Sequence, residues 1–288
     1  MRLPARAIHN QRHAVNEDSG TLRALAEAVA WPTDLTLAQW CSWYATALEF
    51  QPDLIIELGR GMGNSTTLFT LAAHRLKKTQ VYSFCLSQQW DRLTRPRLLP
   101  LTGEDWFAPL STYLIDITQV DFTHLILPAK RVLLLWDAHG YVVADRVLSH
   151  IMPLLAQKEH VVLCHDVSDN RLYPDAPRHY GGKTIWKGMD SYYADSEGTG
   201  RANIFWLNTV VDQFVPILDF CWRNRIDLHS ADWEMKEDLI DQPRLLEETA
   251  TAMPSDCFST MNHWAYFTLN ESKGPLTFPA SSFKAEPR

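Results

Sequence analysis

The chain has 288 residues, of which 46% are apolar and 21% charged, and it carries a formal net charge of −7. That size suits one enlarged α/β domain or two small ones, and the acidic balance excludes a general nucleic-acid binder, whose affinity comes from phosphate neutralisation by Lys and Arg. No run approaches ~20 apolar residues and no apolar segment follows the basic first residues, so neither a membrane span nor a secretory signal is expected, and a cytoplasmic location is.

Five cysteines, Cys41, Cys85, Cys164, Cys221 and Cys257, are widely spaced and form no CxxC pair. They fit neither a disulfide framework nor a zinc ribbon, and four of them read as small core residues.

In chain order, residues 1–20 are polar and read as a loose arm. Leu22, Leu25, Ala26 and Val29 recur at helical spacing, and a second periodic stretch runs from Leu35 to Phe50 after the Trp31-Pro32 break. Asp53–Leu58 is a short apolar run ending in glycine, which suits a strand buried on both faces. Asn64–Lys77 reads as a helix, Val81–Leu86 as a second strand and Thr112–Asp116 as a third, after a Pro- and Arg-bearing stretch with a weak helical signal. Arg131–Trp136 is a fourth strand, Val142–Leu155 a helix and Val161–Cys164 a fifth strand. Repeated strand–helix–strand order predicts a mostly parallel sheet with helices on both faces.

Residues 167–203 break that rhythm with Gly, Pro, Tyr and Asp, and a loop of such length is usually functional or disordered. Its Tyr173, Tyr180, Trp186, Tyr192 and Tyr193 suit a lid over an acceptor pocket, or a packed surface loop. Beyond it, Asn208–Asn224 reads as a helix despite Pro216. Asp227–Met235 and Trp264–Asn270 read as strands that pair antiparallel at the end of the sheet. The expected division is 1–50 as arm and helices, 51–275 as the α/β domain and 276–288 as a tail.

The most informative segment is Asp53-Leu-Ile-Ile-Glu-Leu-Gly-Arg-Gly-Met-Gly-Asn-Ser. Gly59, Gly61 and Gly63 stand two apart between a strand and a helix, and glycine there permits positive φ and close approach of a ligand to the helix N-terminus. A phosphate-cradling loop needs Gly-Lys-Ser/Thr where this chain has Gly63-Asn64-Ser65, so that ligand is excluded. A dinucleotide fingerprint needs G-x-G-x-x-G, and residue 64 is Asn. An acid-x-Gly-x-Gly-x-Gly pattern is met in full by Glu57, Gly59, Gly61 and Gly63.

That pattern resembles motif I of the class I S-adenosylmethionine-dependent methyltransferases. The strand ends Leu134-Leu-Trp-Asp-Ala-His-Gly-Tyr141 and Val161-Val-Leu-Cys-His-Asp166 look like those of the cephalosporin hydroxylase-like and macrocin O-methyltransferase-like group. The resemblance implies a Rossmann-like, doubly wound, seven-stranded sheet with an N-terminal helical extension, and transfer of a methyl group from S-adenosylmethionine to a small-molecule acceptor, chiefly at oxygen. It implies that Glu57 contacts the methionine part of the cofactor while the glycines make room for its sugar. Asn64 and Ser65 belong to the same cofactor set, or simply cap the following helix with Thr66, and Asp116 adds a polar group at the third strand end. The acid expected at the end of the second strand is missing; Ser87 or Gln88 stands where it would hold the ribose, a weaker acceptor than a carboxylate.

Carried over by position, Asp137 and Asp166 would hold a divalent cation with His165 a third ligand. Oxygen ligands suit magnesium, and a histidine shifts the choice toward manganese, iron or zinc. His139 is the candidate general base beside Asp137. The alternatives stay open: Asp137 as a helix cap, His139 as a satisfied loop residue, His165 and Asp166 bonded only to backbone. At the level of the whole chain, the alternatives are a nucleotide-dependent oxidoreductase on the same topology and a non-catalytic binding or assembly subunit. The chain carries no Asn-Pro-Pro-Tyr or Asp-Pro-Pro-Tyr segment for a flipped base and its net charge is negative, so nucleic acid is not an expected partner. With no long apolar run, neither is a membrane, and homo-oligomerisation is left open.

Overall fold

The computed structural model describes residues 2–32, 34–165 and 213–280. Seven strands, β1 (Leu54–Leu58), β2 (Gln80–Cys85), β3 (Leu110–Leu114), β4 (Arg131–Trp136), β5 (Glu159–His165), β6 (His229–Ser230) and β7 (Trp264–Phe267), form one sheet in the order β3-β2-β1-β4-β5-β7-β6. Strands β1 to β5 pair in parallel, while β7 runs antiparallel to both β5 and β6. This is the α/β, doubly wound, mostly parallel sheet expected from the alternation, with the antiparallel pair at its end.

Side chains alternate across each strand, so successive residues enter different cores. Ile55, Val81, Leu133, Leu135, Val161 and Leu163 join one core with the N-terminal helices. Leu54, Ile56, Leu58, Val132, Leu134 and Trp136 join the other. By the same alternation Glu57 and Ser83, paired across β1 and β2, point into the first core, and both are fully buried there.

The expectation of a loose arm over residues 1–20 is corrected: α1 spans Leu3–Val29 as a 27-residue helix. Its buried face is drawn largely from Ala5, Ala7, Ile8 and Val15 in the first half, small or widely spaced residues that give little sequence periodicity. What holds it is tertiary burial rather than propensity, since these residues pack in one core with Trp40, Trp43 and Tyr44 of α2 (Leu37–Phe50). Helix α2 starts in a reciprocal cap, in which Thr36 accepts from Gln39 N–H and the Gln39 side chain returns to Thr36 N–H.

Other boundaries shift for identifiable reasons. The weakly helical Pro- and Arg-bearing stretch is helical over Trp90–Thr94 and Arg95–Thr102. Asp227–Met235 is not one strand: only His229–Ser230 pairs, after which Ser230 accepts from Trp233 N–H and caps a helix at Ala231–Met235, with Asp232 and Glu234 in its first turn. The last strand stops at Phe267, where Thr268 caps a short 3-10 turn. Pro216 does not interrupt its helix, because Val215–Arg223 begins there and proline is tolerated in a first turn. The loop over 167–203, Asp166 and the segment 208–212 lie outside the described residues. Among the described residues no helix is long and apolar enough to cross a membrane, and Cys41, Cys164, Cys221 and Cys257 are buried thiols as expected.

The β6 edge is tied down by charge. His229 stacks on Tyr266 at 4.9 Å and places Nδ1 2.8 Å from Glu234 Oε1 and Nε2 2.8 Å from Glu271 Oε2, while Tyr266 OH donates to Glu234 Oε2 at 2.6 Å. Arg2 Nε lies 3.7 Å from the same Glu234 Oε1. The hydrogen bond to Glu234 pushes the His229 imidazole up to about 9, with partial burial opposing and Glu271 adding. A histidine whose pKa is raised on folding stabilises fully below its unfolded value of about 6.5 and loses that stabilisation as pH climbs to the folded value. Thermal melts between pH 6.5 and 9.5 are therefore expected to fall in the natural chain and to flatten in His229→Gln; an unchanged slope in the variant would contradict the assignment.

Candidate active site

The chain reverses its direction across the sheet between β1 and β4, and the glycine turn leaves β1 at that switch point. All three glycines adopt positive φ: +94° at Gly59, +50° at Gly61 and +92° at Gly63. Their surroundings differ. A Cβ on Gly59 would stand 2.4 Å from the Asp137 carbonyl oxygen, so this glycine lets the ends of β1 and β4 touch. A Cβ on Gly63 would stand 2.2 Å from the ring of Trp90, which is fully buried against the turn. Gly61 is exposed, and among the described residues no atom lies within 4 Å of a built Cβ. Only the crest of the turn therefore faces open space, directly before α3 (Asn64–Leu76).

Glu57 lies beneath the turn rather than on it. It is fully buried, and its carboxylate accepts from the hydroxyls of Ser65, Thr66 (2.6 Å) and Ser83. Burial pushes its carboxyl up, and the hydroxyls of Ser65, Ser83 and Thr66 and the charge of Arg60 pull it back. Neither Ser65 nor Thr66 caps α3; the cap position is Gly63, which offers no side chain. Asn64 is likewise committed inward, donating to Trp31 O (3.0 Å) and Asp34 Oδ2 (2.9 Å) and accepting from Trp40 Nε1 (3.3 Å). It ties the link between α1 and α2 to the start of α3.

At the second strand end Ser87 is half-buried and exchanges hydrogen bonds with Gln89, while Gln88 is exposed. Asp116, beyond β3, accepts from Thr118 N (2.9 Å) and Oγ1 (2.8 Å) and so caps its own short turn.

The ends of β4 and β5 bring two predicted residues together. His165 Nδ1 lies 3.0 Å from Asp137 Oδ1. The imidazole is 5% exposed and is met edge-on by the Trp43 ring at 5.4 Å. His139 turns its Nδ1 to Gln213 Oε1 at 2.5 Å, and Gln213 is itself held by donation to Trp136 O. Trp43, Gln213 and the buried Arg60 escaped the sequence reading; for Trp43 the signal was its place three residues after Trp40 on a helix start, and for Gln213 and Arg60 the partners are too distant in sequence to suggest the contact. Of the proposed metal ligands, Asp166 lies outside the described residues, and among the described residues no group of three His, Cys, Asp or Glu side chains converges.

No family model matches the chain, and no curated protein matches it. Among solved structures it is similar to the SAH-bound methyltransferase PaMTH1 of Podospora anserina, at 16% identity over 71% of this chain and 81% of that one, with a TM-score of 0.46. It is also similar to a fragment described as StiE O-MT, at 11% identity over 76% of this chain and 67% of that one, with a TM-score of 0.29.

Proposed function

We propose that the chain binds S-adenosylmethionine and transfers its methyl group to the oxygen of a small molecule. The observation that carries this reading is the crest of the glycine turn: a positive-φ glycine with open space above it, at the switch point of the sheet, where open α/β sheets take their ligands. Gly61 and the polar ends of β2 and β3, including Ser87 and Gln88, would hold the adenosyl ligand. The bound cofactor supplies an electrophilic methyl group on a sulfonium.

What the chain itself must then do is position the acceptor and take its proton. The Asp137–His165 hydrogen bond favours an orienting carboxylate over a metal ligand for Asp137. Bonded to Nδ1, it fixes the ring's orientation and stabilises the imidazolium formed when the acceptor's proton is taken up. His139, held by Gln213, is the second imidazole at these strand ends.

Calorimetry of the full chain with S-adenosylmethionine, S-adenosylhomocysteine and NAD tests the reading. Saturable binding of both adenosyl ligands is expected; binding of NAD alone would replace it with a nucleotide-dependent oxidoreductase.

A further inference from the structure

Arg60 stands between Gly59 and Gly61, yet only 3% of it is exposed. Its side chain folds back from the turn to β2, where Nη1 donates to Ser83 O at 2.9 Å and to Ser83 Oγ at 3.0 Å. Ser83 Oγ in turn donates a hydrogen bond to Glu57 Oε2. The nearby opposite charge is thus already occupied, because the Glu57 carboxylate accepts from three hydroxyls.

The other edge of the guanidinium is unmet. Arg60 Nε and Nη2 are both buried and have no hydrogen-bond partner among the described residues. Those two N–H groups point in parallel and form the side-on fork through which a guanidinium grips a carboxylate with two bonds. A charged donor pair left dry and unpaired is costly, and native interiors fill such edges with an anion or a buried water. Arg60 is itself a residue of the turn, one position before the exposed Gly61 and four before the start of α3 at Asn64.

We propose that Arg60 anchors the bound adenosyl ligand by its α-carboxylate, the fork Nε–Nη2 receiving the two oxygens while Nη1 stays on Ser83. The inference rests on the functional reading above and adds the recognition of the ligand's amino-acid end. Both nitrogens are covered in the chain as it stands, so the crest at Gly61 shifts to admit the carboxylate, a movement that glycine permits.

The test compares three probes on the full chain by calorimetry: S-adenosylhomocysteine, its carboxyl methyl ester, and 5′-methylthioadenosine, which lacks the amino-acid end. The natural chain is expected to bind the free acid about 10- to 100-fold more tightly than the other two, the range of a charge-assisted hydrogen-bonded pair. Arg60→Met is expected to erase that preference while leaving 5′-methylthioadenosine affinity unchanged. Arg60→Lys keeps the charge but not the fork and is expected to lose most of the preference, so it decides the matter should Arg60→Met fail to fold. An equal loss for all three probes, or an intact preference in both variants, would mean a structural brace or a buried water only. Binding of 5′-methylthioadenosine without preference for the acid in the natural chain overturns the anchor alone. Binding of none of the three overturns the functional reading and the anchor with it.

Discussion

Gly61→Leu is expected to lower S-adenosylhomocysteine affinity at least about 100-fold, the loss of more than one good contact, while the chain remains folded. Its Cβ would meet no atom of the described residues within 4 Å, so the side chain would project outward from the crest. The φ of +50° costs a β-carbon-bearing residue about 1–2 kcal/mol, which moves the melting midpoint by a few degrees in a chain of this size. Gly63→Ala is expected to do the reverse. Its Cβ would strike the buried Trp90 ring as well as sit at φ +92°, and overpacking adds about 1–3 kcal/mol. The loss is then stability first, on the order of 10 °C in melting midpoint, and Trp90→Leu in the same chain should return part of it. Melting curves and calorimetry on the three variants separate a glycine that serves a ligand from one that serves the fold; a Gly61→Leu chain that binds normally would refute the seat.

Asp137→Asn should cost activity rather than binding. Asparagine keeps the shape, but the His165 imidazole loses the carboxylate 3.0 Å away that stabilises its charged form as it takes the acceptor's proton. Loss of a positioned base costs roughly 10²–10⁴ in turnover. A kcat reduced by about that much is expected, with S-adenosylhomocysteine affinity little changed. His165→Gln should behave alike, and the double variant should be no worse than either single one, because groups that act as a unit are not additive. Assays with hydroxylated acceptors give the readout. Unchanged turnover in Asp137→Asn would remove the pair from the chemistry. Activity abolished by EDTA and restored by manganese would instead make Asp137 and His165 metal ligands.

Much of the fold was legible because parallel strands buried on both faces read as short apolar runs, and Arg131–Trp136 has the same bounds in sequence and structure. The glycine spacing was legible because positive φ restricts the residue type at each position. What escaped depends on contacts distant in sequence. Helix α1 hides its buried face among alanines and becomes helical by packing on α2. The alternating Asp227–Met235 stretch looks like a strand, but one serine with two acids after it starts a helix instead. Glu57 was visible as a residue, whereas its enclosure by Ser65, Thr66 and Ser83 required knowing that β2 lies beside β1 with Ser83 opposite it. Nothing in the sequence around Arg60 signals its burial, which follows from its contacts with Ser83 on β2.

The most direct measurement is a crystal structure of the chain soaked or grown with S-adenosylhomocysteine. The account predicts the adenosyl ligand over Gly61, outside the ends of β1 and β4 and within reach of the Asp137–His165 pair. A ligand bound elsewhere, or a crest closed over by the protein's own side chains with the ligand in excess, would contradict it.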